Sequence, residues 1–479
     1  MIITQLKHQC VKFALPKGRF LSSTADLLAG IGLGFDGYSD RAKQYRLRSA
    51  TFSNLSAKIL QEKDIPIQVA VGNYDLGICG ADWIEEYLVK YPTGALVKVA
   101  SLNYGQGSIH AATSAQVGIT NLNDLSVRKN DCRIVSEYPN LAEAFALNLR
   151  MRKFRIFPVW GAAEAYPPEN ADLVVLWGIG RAHIAAQGLI PLEKLLPVTA
   201  FLVANRESLE NKDLSQILTC FDSQLGTEPQ TSMEQELDIC KDMKILCPSW
   251  QAREINLALP DGHQQIPAAQ FLKRAGLALQ GYSEEVVSRR PAADLDWLGI
   301  KVIRPQDMPL QVANGNFDLA ITGEDWLLEH LCRFPSSPVK KLFALGFGTV
   351  KIVAAVSQEM PVNDIDELRS LVQRSPSVVG APLKVASEYI NIADRYLRDN
   401  HINPYRLIPT WGASEAFLPE DADMLIDNTQ TGKTLEQHRL KVLDVLFQSS
   451  ACLIANKDSL ASSRKKERIE FLTQKLRGG

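Results

Sequence analysis

The sequence predicts an α/β fold built from two tandem bilobal units, each with two mainly parallel sheets around a cleft. Three observations carry this. Four segments recur in order along the 479-residue chain, short β-rich apolar runs alternate with helical stretches, and each repeat holds an early and a late set of strands. Continuous apolar strands that alternate with helices belong to parallel sheets covered by helices. A chain this long exceeds a single hydrophobic core, and roughly two to four domains are expected.

The repeat sets the boundaries. KDIPIQVAVGNYDLGICGADWIEE at 63–86 matches QDMPLQVANGNFDLAITGEDWLLE at 306–329, and RIVSEYPNLAEAF at 133–145 matches KVASEYINIADRY at 384–396. WGAAEAYPPENAD at 160–172 shares nine of thirteen positions with WGASEAFLPEDAD at 411–423, and ANRESL at 204–209 answers ANKDSL at 455–460. The offset is 243 or 244 residues early and 251 later, so order and spacing are both kept. A tandem duplication follows, with a first unit over 1–225, a polar Gly- and Pro-containing linker over 226–249, and a second unit over 250–479.

Within each unit the elements read in parallel. CVKFAL and INLAL are strands that run into the turns LPKGRF (15–20) and LPDGHQ (259–264), and LSSTADLLAGIG and AAQFLKRAG are the helices that follow. DLGICG and DLAITG are buried strands ending in glycine, each followed by a helix carrying Trp83 or Trp326. RIVSEY and KVASEY lead into helices, and ADLVVLW and ADMLID are strands again. Ligands are expected at the carboxyl ends of the strands, in the crevice between lobes.

Composition narrows the function. The net charge of −2 offers no global attraction to nucleic acid or to an anionic membrane, so an anionic ligand must be met by local cations. The start MIITQLKHQC lacks the pattern of a signal peptide, and no apolar run reaches membrane-spanning length. Eight scattered cysteines without a CxxC pair fit reduced thiols, and the expectation is a cytoplasmic protein.

The two turns differ where it matters. Both keep Leu, Pro and Gly, but Lys17 and Arg19 of the first become Asp261 and His263 in the second. The turn itself is therefore structural in both units, while a pair of cations suited to anions is confined to the first. The reverse holds further on. ADMLIDNTQTGKTLEQH at 422–438 is a strand running into a loop with the outline of a phosphate-binding turn, except that Asp427 stands where a Walker A loop needs glycine. A carboxylate there suits a ribose phosphate: Asp427 accepts from the ribose hydroxyls, Thr429, Thr431, Thr434 and the amides around Gly432 hold the 5-phosphate, and Lys433 adds charge. The alternative is a polar turn that caps the next helix. At the corresponding positions the first unit has Leu176-Trp-Gly-Ile-Gly-Arg-Ala-His183, and the loop is gone.

LPKGR with its strand, the D-[IM]-P…G-x-x-D-L-[GA]-I-x-G-x-D segment and the D-x-x-x-T-G-x-T-L loop followed by SSACLIA together resemble the catalytic subunit of ATP phosphoribosyltransferase in its short form, the first enzyme of histidine biosynthesis. The resemblance covers nearly the whole chain, twice. It implies two α/β lobes around a cleft, and a reaction in which N1 of ATP displaces pyrophosphate from C1 of phosphoribosyl pyrophosphate (PRPP), with Mg²⁺ held through the substrate phosphates rather than by direct protein ligands. Carried over, Asp427, Thr429, Thr431, Gly432, Lys433 and Thr434 bind PRPP, Glu415 contacts the sugar or its metal, and Lys17 and Arg19 hold the triphosphate or departing pyrophosphate. Asp82 and Asp325 are candidates for the adenine side, or else N-caps of the helices that follow them. Lys17, Arg19 and Asp427 are the expected catalytic set, and Gln430 stands where the family usually has serine.

The complementary losses imply an internal pseudo-dimer with one composite site, further homo-oligomerisation being left open. A variant of this expectation puts the whole site in the second unit, with Arg289, Arg290 or Arg304 replacing the lost cations. A regulatory subunit of the histidine pathway is the expected partner. Two other classes compete: a non-catalytic nucleotide-binding or regulatory paralogue, and a two-lobed solute-binding protein, since periplasmic binding proteins share the bilobal topology.

Overall fold

A computed structural model of the chain describes residues 10–39, 45–49, 51–119, 121–127, 131–221, 253–284, 287–374 and 382–478. The linker expected at 226–249 lies outside these residues. The chain divides into two compact units. Unit 1 takes in Met1–Pro158, Ala171–Leu246 and Trp411–Ala416; unit 2 takes in Val159–Asn170, Cys247–Thr410 and Phe417–Gly479. Each unit therefore contains a short piece of the other repeat.

In unit 1 the strands are β1 (Val11–Lys17), β2 (Arg46–Arg48), β3 (Leu55–Gln61), β4 (Leu76–Gly80), β5 (Leu96–Ser101) and β6 (Gly107–Thr113). They continue as β7 (Cys132–Ser136), β8 (Phe154–Pro158), β9 (Leu173–Gly178), β10 (Ile190–Val198) and β11 (Ala200–Asn205). One sheet has the order β2-β3-β1-β4-β11-β5 and the other β10-β6-β9-β7-β8. The chain leaves the first lobe after β5, builds the second with β6 to β10, and returns as β11. The central strands β1, β3 and β4 pair in parallel, as do β7, β8 and β9, while returning β11 pairs antiparallel with β4 and β5.

Unit 2 repeats the plan. Its strands are β12 (Ile255–Pro260), β13 (Leu279–Tyr282), β14 (Val287–Ala293), β15 (Leu298–Ile303), β16 (Leu319–Gly323) and β17 (Val339–Ala344). Then come β18 (Val350–Ser357), β19 (Leu383–Ser387), β20 (Tyr405–Pro409), β21 (Met424–Thr429), β22 (Leu440–Ser449) and β23 (Ala451–Asn456). The two large sheets run β15-β12-β16-β23-β17 and β20-β19-β21-β18-β22. The hairpin β13-β14 corresponds in the first half to a single antiparallel bridge, Phe35 with Ser49.

Each lobe closes over its own apolar core. β1 and β12 are buried on both faces, as strands covered by helices must be, and Phe13, Leu15, Leu257 and Leu259 are fully inaccessible. Burying each such side chain contributes about 1.5–3 kcal/mol. The helix Ala81–Lys90 belongs to the first lobe by sequence, yet its Trp83 packs on the second lobe's core around Ile109 and Tyr138. Trp326 of the helix Glu324–Arg333 does the same in unit 2. These two helices tie lobe to lobe.

Candidate functional site

The LPKGR turn forms at the carboxyl end of β1. Gly18 adopts φ +88°, a left-handed conformation that favours glycine, with nothing within 4 Å of where a Cβ would lie. Lys17 Nζ donates to the Tyr45 hydroxyl at 3.0 Å and lies 4.9 Å from that ring's centroid. Burial raises the Glu415 carboxyl, and the Lys17 charge pulls against that shift. In unit 1, a cation of the first repeat thus acts on an acid of the second.

Arg19 is placed differently from Lys17. Its Nε and Nη2 donate to Glu62 Oε2 at 3.0 and 2.9 Å, and Nη2 also reaches Asp82 Oδ2 at 2.5 Å. The guanidinium lies 4.5 Å from the Phe20 centroid and 5.0 Å from that of Trp177, and Nη1 has no partner among the described residues. Burial works against its charge, but Asp82 and Glu62 more than offset this and hold its pKa above the ordinary value. Burial pushes the Glu62 carboxyl up to about 7, with Arg19 opposing.

The corresponding turn in unit 2 also needs its glycine, Gly262 at φ +67°. Here the buried Asp261 accepts from Arg289 Nη1 at 2.8 Å and Arg304 Nη1 at 3.4 Å, and Arg289 Nε continues to Glu164 Oε1 at 2.9 Å. Arg290 pairs with Glu169 at 3.0 Å and reaches the carbonyl of Pro167, while buried Lys301 bonds Glu169 and Asn170 at 2.5 and 2.6 Å. The three arginines expected to replace the lost cations are therefore engaged with acids of their own unit. Carboxylates as buried as Asp261 and Glu169 require such partners.

The loop expected to hold a ribose phosphate is formed by the end of β21 and the short helix Lys433–Gln437. Gly432 turns the chain at φ +75° with open space around it, and its N–H donates to Thr429 Oγ1 at 3.1 Å. Asp427 Oδ1 accepts from the backbone N–H of Asn428 at 2.7 Å and from its side-chain amide at 3.3 Å. Thr431, Lys433 and Thr434 are exposed, and their side chains make no bond among the described residues. Among those residues no group of three or more His, Cys, Asp or Glu is arranged to hold a metal ion.

Asp82 and Asp325 prove to be neither caps nor open ligands. The caps are Gly80 and Gly323, and each aspartate is the second residue of its helix. Tyr138 donates to Asp82 Oδ2 at 2.8 Å, and Tyr389 donates to Asp325 Oδ2 at 2.6 Å. Ser449 Oγ completes the second site by donating to Asp325 Oδ1 at 2.8 Å. Trp83 and Trp326 stack on these tyrosines with centroids 4.5 Å apart in both units. One turn along, Glu86 accepts the backbone N–H groups of Asn140 and Leu141 at 2.9 Å each, and Glu329 treats Asn391 and Ile392 identically. Acids on first-lobe helices thus satisfy the open amides that begin a second-lobe helix. Glu62, Tyr138, Tyr389, Asn428 and Ser449 were not singled out by sequence. The only available signal was the recurrence of D-W-x-x-E and S-E-Y in both halves.

The glycine of G-x-D has a physical reason. A Cβ on Gly323 would lie 2.1 Å from Asp325 Oδ1, and one on Gly80 would lie 2.1 Å from Asp82 Oδ1. Gly323→Ala is expected to displace the Asp325 carboxylate from Tyr389 and Ser449, costing about 2–4 kcal/mol. Urea denaturation checks this, and an unchanged midpoint would contradict it.

A family model described as HisG: ATP phosphoribosyltransferase matches residues 61–223 and 304–478. An ATP phosphoribosyltransferase of Saccharolobus solfataricus is 32% identical over 231 residues, covering 47% of this chain and 72% of its own length. One from Prosthecochloris aestuarii is 30% identical over 224 residues, covering 47% and 71%. Among solved structures, the ATP phosphoribosyl transferase (HisG:HisZ) complex from Thermotoga maritima is 23% identical with a TM-score of 0.37, covering 47% of this chain and 96% of that one. The periplasmic aliphatic sulphonate binding protein SsuA of Escherichia coli is 16% identical with a TM-score of 0.31, covering 45% and 68%.

Proposed function

The chain belongs to the ATP phosphoribosyltransferase family, and we propose that it joins N1 of ATP to C1 of PRPP with release of pyrophosphate, the first step of histidine biosynthesis. The observation that carries this reading is the Asp427–Thr434 loop, with a carboxylate near the strand end and exposed Thr431, Lys433 and Thr434 beside a left-handed glycine. Asp427 would accept from the ribose hydroxyls, and Thr429, Thr431, Thr434 and the amides near Gly432 would hold the 5-phosphate. Lys17, and Arg19 through Nη1, would meet the triphosphate or the leaving pyrophosphate. Glu415, from the second repeat, belongs with Lys17 to unit 1. We assign Asp82 and Asp325 to joining the lobes rather than to adenine.

The chemistry needs no protein nucleophile, since N1 of adenine carries its own lone pair. The N1–C1 bond forms as the C1–O bond breaks, and the electron pair leaves with pyrophosphate. The protein's task is to align two polyanions and offset their repulsion. Mg²⁺ on the substrate phosphates adds charge shielding when bound, and the oxygen donors of the loop are of the class it accepts. The substrates imply a cytoplasmic setting, and a regulatory subunit of the histidine pathway belongs to the same proposal.

The purified chain given ATP, PRPP and Mg²⁺ is expected to release pyrophosphate, measured by a coupled phosphate assay. A second reading, a nucleotide-binding paralogue without turnover, is favoured by the pairing of Arg19 and Arg289 with acids in their own units. It predicts binding without release, even with a regulatory subunit present.

A further inference from the structure

The repeat register sets Tyr138 against Tyr389, Asp82 against Asp325, Trp177 against Asn428, Val198 against Ser449 and Arg19 against His263. The tyrosine–aspartate hydrogen bond between lobes is the same in both units, but what it touches next is not. In unit 2, Asn428 Nδ2 donates to the Tyr389 hydroxyl at 3.1 Å, and the same amide donates to Asp427 Oδ1 at 3.3 Å. Asp325 is held from its other side by Ser449, and exposed His263 takes no part. In unit 1, Oδ2 of Asp82 accepts from both Tyr138 and Arg19, and Arg19 lies over Trp177, the residue in Asn428's place. Val198 cannot donate as Ser449 does, and Asp82 Oδ1 is left buried without a partner.

We propose that Tyr389 and Tyr138 are positioning residues, each tying the carboxylate that joins its unit's lobes to the ligand group that unit has kept: the loop beginning at Asp427 in unit 2, and Arg19 in unit 1. The substitutions at 177/428, 198/449 and 19/263 lie around one shared bond, and together they redirect it. The tyrosine can serve either way because a buried phenol beside a carboxylate stays protonated: it donates to the acid while its oxygen accepts from Asn428. In unit 2, the bond that joins the lobes and the orientation of Asp427 are then coupled.

The inference rests on the reading under Proposed function and has its own test. Dissociation constants for PRPP with Mg²⁺ and for ATP would be measured by calorimetry on the full chain and on Tyr389→Phe, Tyr138→Phe, Asn428→Ala and the double variant Tyr389→Phe/Asn428→Ala. Tyr389→Phe is expected to weaken PRPP about tenfold and ATP less than twofold, and Tyr138→Phe to do the converse. Asn428→Ala should add little to Tyr389→Phe, since both cut one path. Equal effects on both ligands, no effect on either, or additive losses in the double variant overturn the wiring while leaving the transferase reading intact. A wild-type chain that binds neither ligand overturns the reading and the wiring together. Thermal unfolding of each variant separates misfolding from a binding effect, and a variant that unfolds early is replaced by Tyr389→His or Tyr138→His, which keep a ring donor.

Discussion

Replacing Asp427 with Asn is expected to lower pyrophosphate release from ATP and PRPP by about a hundredfold or more, the scale on which removing one preorganised polar contact to a reacting group acts. The change is isosteric. Asp427 Oδ1 already accepts from the Asn428 backbone, and an amide oxygen keeps that bond, so the turn should hold. What is lost is a negative acceptor for two hydroxyl donors: an amide nitrogen turned toward the ribose cannot accept at all. The loss should appear in the KM for PRPP as well as in kcat, while the KM for ATP moves little. Full activity in Asp427→Asn would mean that the loop does not hold the sugar, and the bland reading of a helix-starting turn would stand.

Lys17→Ala should lower kcat/KM for ATP by about ten- to a hundredfold, the range for losing one charge-assisted contact. Stability should barely change, since Lys17 is half-exposed and its one described hydrogen bond is to the Tyr45 hydroxyl. That contrast makes Lys17 a sharper probe than Arg19, whose removal would strand the buried carboxylates of Glu62 and Asp82 and damage the fold. If Lys17→Ala and Asp427→Asn both left turnover unchanged, the division of labour between repeats would fall. Loss in both would establish that each repeat supplies what the other has shed, because the second repeat has Asp261 where Lys17 stands and the first has Leu176 where Asp427 stands.

Much of this was legible in the residues alone. The duplication, the α/β class, the two turns and the acidic loop are encoded locally: apolar runs make buried strands, and glycine permits φ near +80°. Parallel pairing holds at the centre of each large sheet and gives way to antiparallel pairing at edge strand β2, at the returning strands β11 and β23, at β6 and β18, which open the second lobes, and in the β13-β14 hairpin. Lys17 and Arg19 looked alike as neighbouring cations, yet one reaches Tyr45 and the other is closed between two acids 43 and 63 residues away. Asp82 and Asp325 looked like ligands or caps and are instead fastened by tyrosines 56 and 64 residues on. Arg289 looked like a free replacement cation and is bound to Asp261 and Glu164. The sequence by itself determined which chemical groups this protein owns and in which repeat, because backbone turns and side-chain chemistry are local properties. Only the tertiary structure decided which of those groups remain available, because a buried charge must find a counter-charge, and which partner it finds depends on packing between segments far apart in the chain.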